Sequence, residues 1–315
     1  MWVVKMNEII AAIDCGTNSI RLLVAEVNPD NSLTELRREL RIVRLGEGVD
    51  QTGEFKVDAV ERTIRAAAEY SNYIQEMGVT KFRFAATSAT RDASNRHLFT
   101  FPIKEMFGIE PEVISGDMEA SLSFRGATSS LTSMGKLKNT PYLVIDIGGG
   151  STEFVLGVKH PTNSISVDIG CVRMSERHNL VEIFDPAQLA AARKDIQKAI
   201  EQAANQVEIS TAGSIIGVAG TVTTVAAIAL GLTEYDPTKL HGAVIKTSEV
   251  TRVAKMLREM TRTQKAAIPA MHPGRVDVIA AGALVLEMIL DEVGLGEIIV
   301  SEHDILDGLA LSLID

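Results

Sequence analysis

One pattern, present twice, constrains this chain more than any other feature. Ala12-Ile13-Asp14-Cys15-Gly16-Thr17-Asn18-Ser19-Ile20-Arg21-Leu22-Leu23-Val24 and Val144-Ile145-Asp146-Ile147-Gly148-Gly149-Gly150-Ser151-Thr152-Glu153-Phe154-Val155 each read as an apolar run, Asp-x-Gly-x-x-Ser, and a second apolar run. Physically this is strand, tight turn, strand. A glycine-rich turn exposes backbone N–H groups, and a row of them is a cradle for phosphate oxygens. Asp146 at a strand end and Glu153 across the turn are oxygen donors placed to hold a divalent cation. A lone triple glycine is better read as a hairpin without a ligand. Here, however, Asp14 aligns with Asp146, Gly16 with Gly148, Ser19 with Ser151, and Arg21 falls opposite Glu153. Two such turns, each opening its own half of the chain, predict a duplicated α/β unit with a cleft between the halves.

The 315 residues suffice for two domains, each with its own core. A hydrophobic share of 46% with 23% charged residues is ordinary for a soluble globular protein. The formal net charge of −10 disfavours nonspecific binding to nucleic acid or to an anionic membrane. A polyanionic ligand therefore requires basic groups gathered locally. Cys15 and Cys171 have neither metal-site nor redox spacing and read as reduced thiols of a cytosolic protein. The stretch from Ile209 to Thr233 carries no charge and is long enough to span a bilayer. Its serines, threonines and glycines, with no flanking basic cluster, predict instead a buried strand, a turn and a buried helix. Met1 to Asn7 does not read as a signal peptide. The expected location is the cytoplasm, with no nucleic-acid or membrane partner.

Further along, Ser32 to Val49 predicts more strands, and Val60, Ile64, Ala67, Ile74 and Met77 predict a helix that Gly78 ends. Phe82 to Ala86 predicts a strand delivering Thr87-Ser88-Ala89-Thr90-Arg91, with a short helix from Asp92 to His97. Glu112 to Ser115 predicts a strand, followed by a helix to about Leu131 with Glu119 in its first turn, and Thr128 to Thr140 reads as a linker. In the second half, Ile165 to Ile169 predicts a strand closing on Gly170-Cys171-Val172-Arg173, and Pro186 to Val207 a long helix. Ile215 to Val218 runs into Ala219-Gly220-Thr221 and a helix start, which is either a third anion seat or a simple helix cap by Thr221. Val276 to Leu290 predicts a core helix and Ile298 to Val300 a strand. Ser301 to Asp304 has capping-box form before a last helix that docks through Ile305, Leu306, Leu309, Leu313 and Ile314. The domains expected are 1–130 with 302–315 returning to it, and 131–301.

Together these residues specify phosphoryl chemistry. Amides of the two turns with Arg21 and Arg91 would hold a phosphoryl group, Asp146 and Glu153 a cation such as Mg²⁺, and Glu119 would polarise a water for in-line attack. A helix N-terminus favours the charged form of Glu119, while a bound polyanion opposes it. No lysine stands in Walker-type spacing and Gly-x-Ser-x-Gly does not occur. His303, at a helix start, reads as structural.

Seven motifs, in order, resemble the exopolyphosphatase/guanosine pentaphosphate phosphohydrolase (Ppx/GppA) family. They are Asp14 to Arg21, Ala86 to Arg91, Ile114 to Ala120, Asp146 to Glu153, Asp168 to Arg173, Gly217 to Thr221 and Val300 to Asp304. The resemblance implies an α/β fold of two ribonuclease-H-like domains of the actin-like ATPase superfamily, flanking an interdomain cleft. It implies hydrolysis of a terminal phosphate from inorganic polyphosphate or from guanosine pentaphosphate, with Mg²⁺ or Mn²⁺ and an optional monovalent activator. A homodimer is left open. Carried over by position, Glu119 is the catalytic base, and Asp146 and Glu153 bind the cation, with Asp14 as a further metal candidate. Asn18, Arg91, Gly148, Gly149 and Ser151 hold phosphate. Gly16, Thr17, Ser19, Arg21, Ser88, Gly150 and Thr152 are further phosphate-binding residues, and Arg173, Gly220, Thr221 and Arg275 are additional phosphate candidates. Arg96, Arg125 and Arg177, with Arg275, are the basic groups available to an extended anion, although surface arginines are more often simply solvated.

Longer members of the family continue into another helical domain, whereas this chain stops at Asp315, so shorter polyphosphates are the expected substrates. One tryptophan and four tyrosines mildly favour a substrate without a base. Two other classes are the alternatives. One is a phosphotransferase of the same fold, against which Ser115-Gly116-x-x-Glu119-Ala120 and Thr87-Ser88-Ala89-x-Arg91 count. The other is a non-catalytic sensor of nucleotides, against which the retained acids Glu119, Asp146 and Glu153 count.

Overall fold

Runs of buried aliphatic residues joined by short polar turns build two sheets in the computed structural model, which describes residues 8–314. In the first, Ile9–Cys15 (β1), Ser19–Val27 (β2) and Leu33–Ile42 (β3) form an antiparallel meander. Lys81–Ala86 (β4) and Glu112–Val113 (β5) add in parallel on the other side of β1, giving the order β3-β2-β1-β4-β5. The second sheet repeats the plan. Tyr142–Ile147 (β6), Thr152–Gly157 (β7) and Pro161–Val167 (β8) form the meander. Ser214–Val218 (β9) pairs parallel with β6, Val244–Lys246 (β10) lies at the edge, and Glu297–Val300 (β11) pairs parallel with β9. The order β10-β11-β9-β6-β7-β8, read from its far end, reproduces that of the first sheet, with β10 added. The chain is thus α/β, with one sheet plan used twice.

The first unit takes the chain to Ser115 and again from Ile305; the second is Gly116–Asp304. The dividing point lies before the helix Gly116–Ser133, whereas the sequence reading put it after that helix, near residue 130. The reason is packing: this helix lies on β6, β7 and β8, burying Ala120, Phe124, Ala127 and Leu131 against Val144, Val155, Ile216 and Val218. The first part of the expected linker, 128–133 of 128–140, is therefore helical.

Within the first unit, Val57–Glu76 buries Val60, Ala67, Tyr70 and Ile74 and ends at Gly78, whose φ of 65° is the left-handed conformation glycine adopts freely. The short helix expected from Asp92 is instead Ser88–Asp92, and the next begins at His97. The C-terminal helix, Ile305–Leu311, packs on β1, β2 and β4. Ser301 does not cap it: the hydroxyl donates to the carbonyl of His303, two residues on, and the helix starts at Ile305.

In the second unit, Ile279–Val293 is buried along nearly its whole length among the helices Cys171–His178, Pro186–Gln206, Ala219–Ala229 and Thr247–Arg258. Pro186–Gln206 begins with a capping box in which Asp185 accepts from the amides of Ala187 and Gln188. The uncharged stretch beginning at Ile209 resolves into a short turn, β9 and the helix Ala219–Ala229. Among the described residues, no helix is long and apolar enough to cross a membrane.

Candidate active site

The two repeated turns close in the same way. Asp14 pairs across the hairpin with Arg21, and Asp146 with Glu153. The Gly16 amide donates to the Ser19 carbonyl at 2.9 Å, and the Gly148 amide to the Ser151 carbonyl at 3.0 Å. Five further carbonyls of the two turns are drawn back into the scaffold. Thr17 O accepts from Gly46, and Asn18 O from Val43 and Arg44. Gly148 O accepts from Cys171, Gly149 O from Val172 and Arg173, and Gly150 O from Gly170. The amides of Thr17, Asn18, Gly149 and Gly150 donate to no backbone carbonyl among the described residues. Each turn thus holds back the groups that repel an anion and offers those that attract one.

In the first turn, Thr17 and Ser88 share a buried hydroxyl–hydroxyl bond of 2.9 Å, and the Thr87 amide donates to Cys15 O. This brings Thr87–Arg91 beside Gly16–Ser19 as expected. Arg91 donates from Nη1 to the carbonyl of Ile114 at 2.9 Å, which anchors it at the end of β5. Arg21 and Asp14 are engaged with each other: Nη2 and Nε lie 2.6 and 3.0 Å from Oδ2. Asp14 was a metal candidate, but in this turn a guanidinium already supplies the positive charge.

The second turn is braced by the start of Cys171–His178. Gly170 sits so close that a Cβ there would lie 2.3 Å from the backbone of Gly149. Arg173, expected to hold phosphate, donates through Nε to Gly150 O at 2.7 Å and so supports the turn. We therefore expect Gly170→Ala to force Gly149 out of place. Turnover by this variant should fall at least about 10-fold in a steady-state assay, on the scale by which small displacements degrade a reacting geometry. Wild-type rates would contradict that role for Gly170.

The acids gather on this second unit. Asp146, Glu153 and Ser166 form one row across β6, β7 and β8. Ser166 and Ser151 both donate to Glu153 Oε1 at 2.7 Å. Ser123 donates to Asp146 Oδ2 at 2.6 Å. Glu119 is buried one turn earlier on the same helix as Ser123. Thr152 donates to Ile169 O and is structural. Burial pushes the Glu153 carboxyl well above the usual range, and the charges of Glu119 and Asp146 push it further, against the two serine donors. Asp146 and Glu153, paired side by side across the hairpin, are the two acids that could hold a divalent cation. Among the described residues no three His, Cys, Asp or Glu side chains are grouped to hold a metal ion together. Mg²⁺ suits such a partial set, since it is commonly held by one or two carboxylates together with substrate phosphate.

The third candidate seat, at the start of Ala219–Ala229, is also in the second unit. Ala219 has a φ of 67°, a strained value for a residue with a Cβ. Arg275 lies against Gly220, where a Cβ would come within 2.7 Å of its Nη2, and donates to Thr224 at 2.7 Å. Gly282 leaves room for Thr221 and Cys171 together. Burial pushes the Cys171 thiol up, partly offset by Thr221 and Arg275, so it is a poor nucleophile. Of the outlying arginines, Arg177 is committed to Asp195 at 2.7 Å. His303 stacks on His241 with ring centroids 4.6 Å apart.

Sequence reasoning missed Ser123, Ser166 and the bracing roles of Val43–Gly46 and Gly170. The only available signals were the alternation Ser164-Ile165-Ser166-Val167 and the Leu45-Gly46 step.

Comparison with known proteins agrees with this architecture. The family model described as "Ppx/GppA phosphatase family" matches residues 23–315. Exopolyphosphatase 2 of Mycobacterium tuberculosis is 43% identical over 96% of this chain and 98% of its own length. A crystal structure of an exopolyphosphatase-like protein is 40% identical, superposes with a TM-score of 0.94 and covers 98% of both chains. That of an exopolyphosphatase from Cytophaga hutchinsonii is 26% identical with a TM-score of 0.89, again over 98% of both chains. With the family model matching nearly its whole length, the chain belongs to the Ppx/GppA phosphatase family.

Proposed function

We propose that the chain is an exopolyphosphatase that releases the terminal phosphate of inorganic polyphosphate by in-line attack of water, acting best on shorter chains. The observation that carries this reading is the grouping of Glu119, Asp146 and Glu153 beside the second turn, where the first turn has an Arg21–Asp14 pair. Glu119 accepts the proton of the attacking water. The amides of Gly149 and Gly150 hold non-bridging oxygens of the phosphate, and Arg173 keeps the turn in shape behind them. Arg275, beside Gly220 and Thr221, is the cation placed for a further phosphate along the chain. Asp146 and Glu153 would hold Mg²⁺, which would supply positive charge to the phosphate oxygens. The name of the mycobacterial relative supports the choice of substrate.

The test is phosphate release with Mg²⁺ from long and short polyphosphate, guanosine pentaphosphate and ATP in parallel. Release from polyphosphate, faster on the short chain, with ATP untouched is the expected result. Release from guanosine pentaphosphate alone would overturn the substrate, and ATP consumption only with an added acceptor would overturn the reaction.

A further inference from the structure

Ser166 stands where the duplicated unit has an apolar residue. Across β6, β7 and β8 the row is Asp146–Glu153–Ser166; across β1, β2 and β3 the matching row is Asp14–Arg21–Leu40. Where the middle residue is a cation, its outer neighbour is leucine. Where the middle residue is an acid, the outer neighbour is a serine whose hydroxyl donates to that acid at 2.7 Å. The register of the duplication thus links the hydroxyl to the carboxylate and not to the strand. Gly116 adds to this, since a Cβ there would lie 2.6 Å from that of Ser166, and only glycine lets the helix start come so close.

Ser123 treats Asp146 in the same way, from the helix that carries Glu119. A hydroxyl has one proton, so a serine donating to a carboxylate does not at the same time donate to a phosphate. Both donors to Glu153 end on Oε1, which fixes the rotation of the carboxylate, and Oε2 takes neither. We propose that Ser166 and Ser123 are positioning residues that preset the carboxylates of Glu153 and Asp146 to receive a divalent cation. The proposal rests on reading those two acids as cation ligands, and partners that orient metal ligands are commonly worth about 10–100-fold in metal affinity.

The experiment is Mn²⁺ binding followed by electron paramagnetic resonance, on the full chain with inorganic phosphate present and no turnover. Wild type is compared with Ser166→Ala, Ser123→Ala and Ser164→Ala, the last on the same face of β8 but opposite Val155. Affinity should fall about 10-fold or more in Ser166→Ala and Ser123→Ala, stay at the wild-type value in Ser164→Ala, and the melting curves should overlay. Unchanged affinity in Ser166→Ala, an equal loss in Ser164→Ala, or no Mn²⁺ bound by wild type would each overturn the proposal. If Mn²⁺ binds and Ser166→Ala weakens it, yet no polyphosphate is cleaved, the positioning role stands and the proposed substrate falls.

Discussion

Glu119→Gln should lower kcat for phosphate release by about 10²–10⁴, the usual worth of a positioned general base, while KM and the melting temperature stay close to wild type. The side chain keeps its size and loses only its basicity, so packing against β6, β7 and β8 is preserved. Glu119 sits in the first turn of Gly116–Ser133, one turn before Ser123, whose hydroxyl is bound to Asp146. Helix and sheet are therefore tied at this point, and the base is carried on a rigid element. Removing the charge of Glu119 also relieves Glu153, which it pushes upward. The variant should still bind Mn²⁺, because the proposed ligands Asp146 and Glu153 are intact, while being slow. Slow turnover with intact metal binding separates a lost base from a lost metal site. A rate within about threefold of wild type would remove Glu119 from the chemistry, because a base worth keeping is worth far more than that.

Arg21→Leu should be the most destabilising change in the first unit. Arg21 is 18% exposed and Asp14 5%, and two guanidinium nitrogens reach the same carboxylate oxygen. Removing one partner of a buried pair typically costs about 3–5 kcal/mol. Urea unfolding should show the loss as a lowered transition midpoint. Asp14→Asn combined with Arg21→Leu should recover part of the loss, because the carboxylate charge is then gone as well. A loss under about 1 kcal/mol would mean that the pair behaves like an exposed one.

Much of the site was legible because a hairpin has a fixed register. Asp and its partner stand seven residues apart in both turns, and a strand–turn–strand of that length places them side by side; Asp14 with Arg21 and Asp146 with Glu153 follow directly. Aligning the turns on one another, however, drew attention to Arg21 opposite Glu153 and away from Arg21 beside Asp14. The mutual pairing of that cation and acid was missed for this reason. Ser166 was illegible for a different one: a serine on an edge strand has no signature until the pairing of β7 with β8 says which acid it faces. The domain division after Ser115 likewise depends on where the helix Gly116–Ser133 packs, and local polarity from Thr128 to Thr140 carries no information about that.

The most direct test of the account is a crystal of the full chain grown with Mn²⁺ and inorganic phosphate, read by anomalous scattering. The predicted result is a manganese peak ligated by Asp146 and Glu153, with phosphate against the amides of Gly149 and Gly150. A manganese peak on the Asp14–Arg21 row, or phosphate bound with no metal beside Glu153, would contradict it.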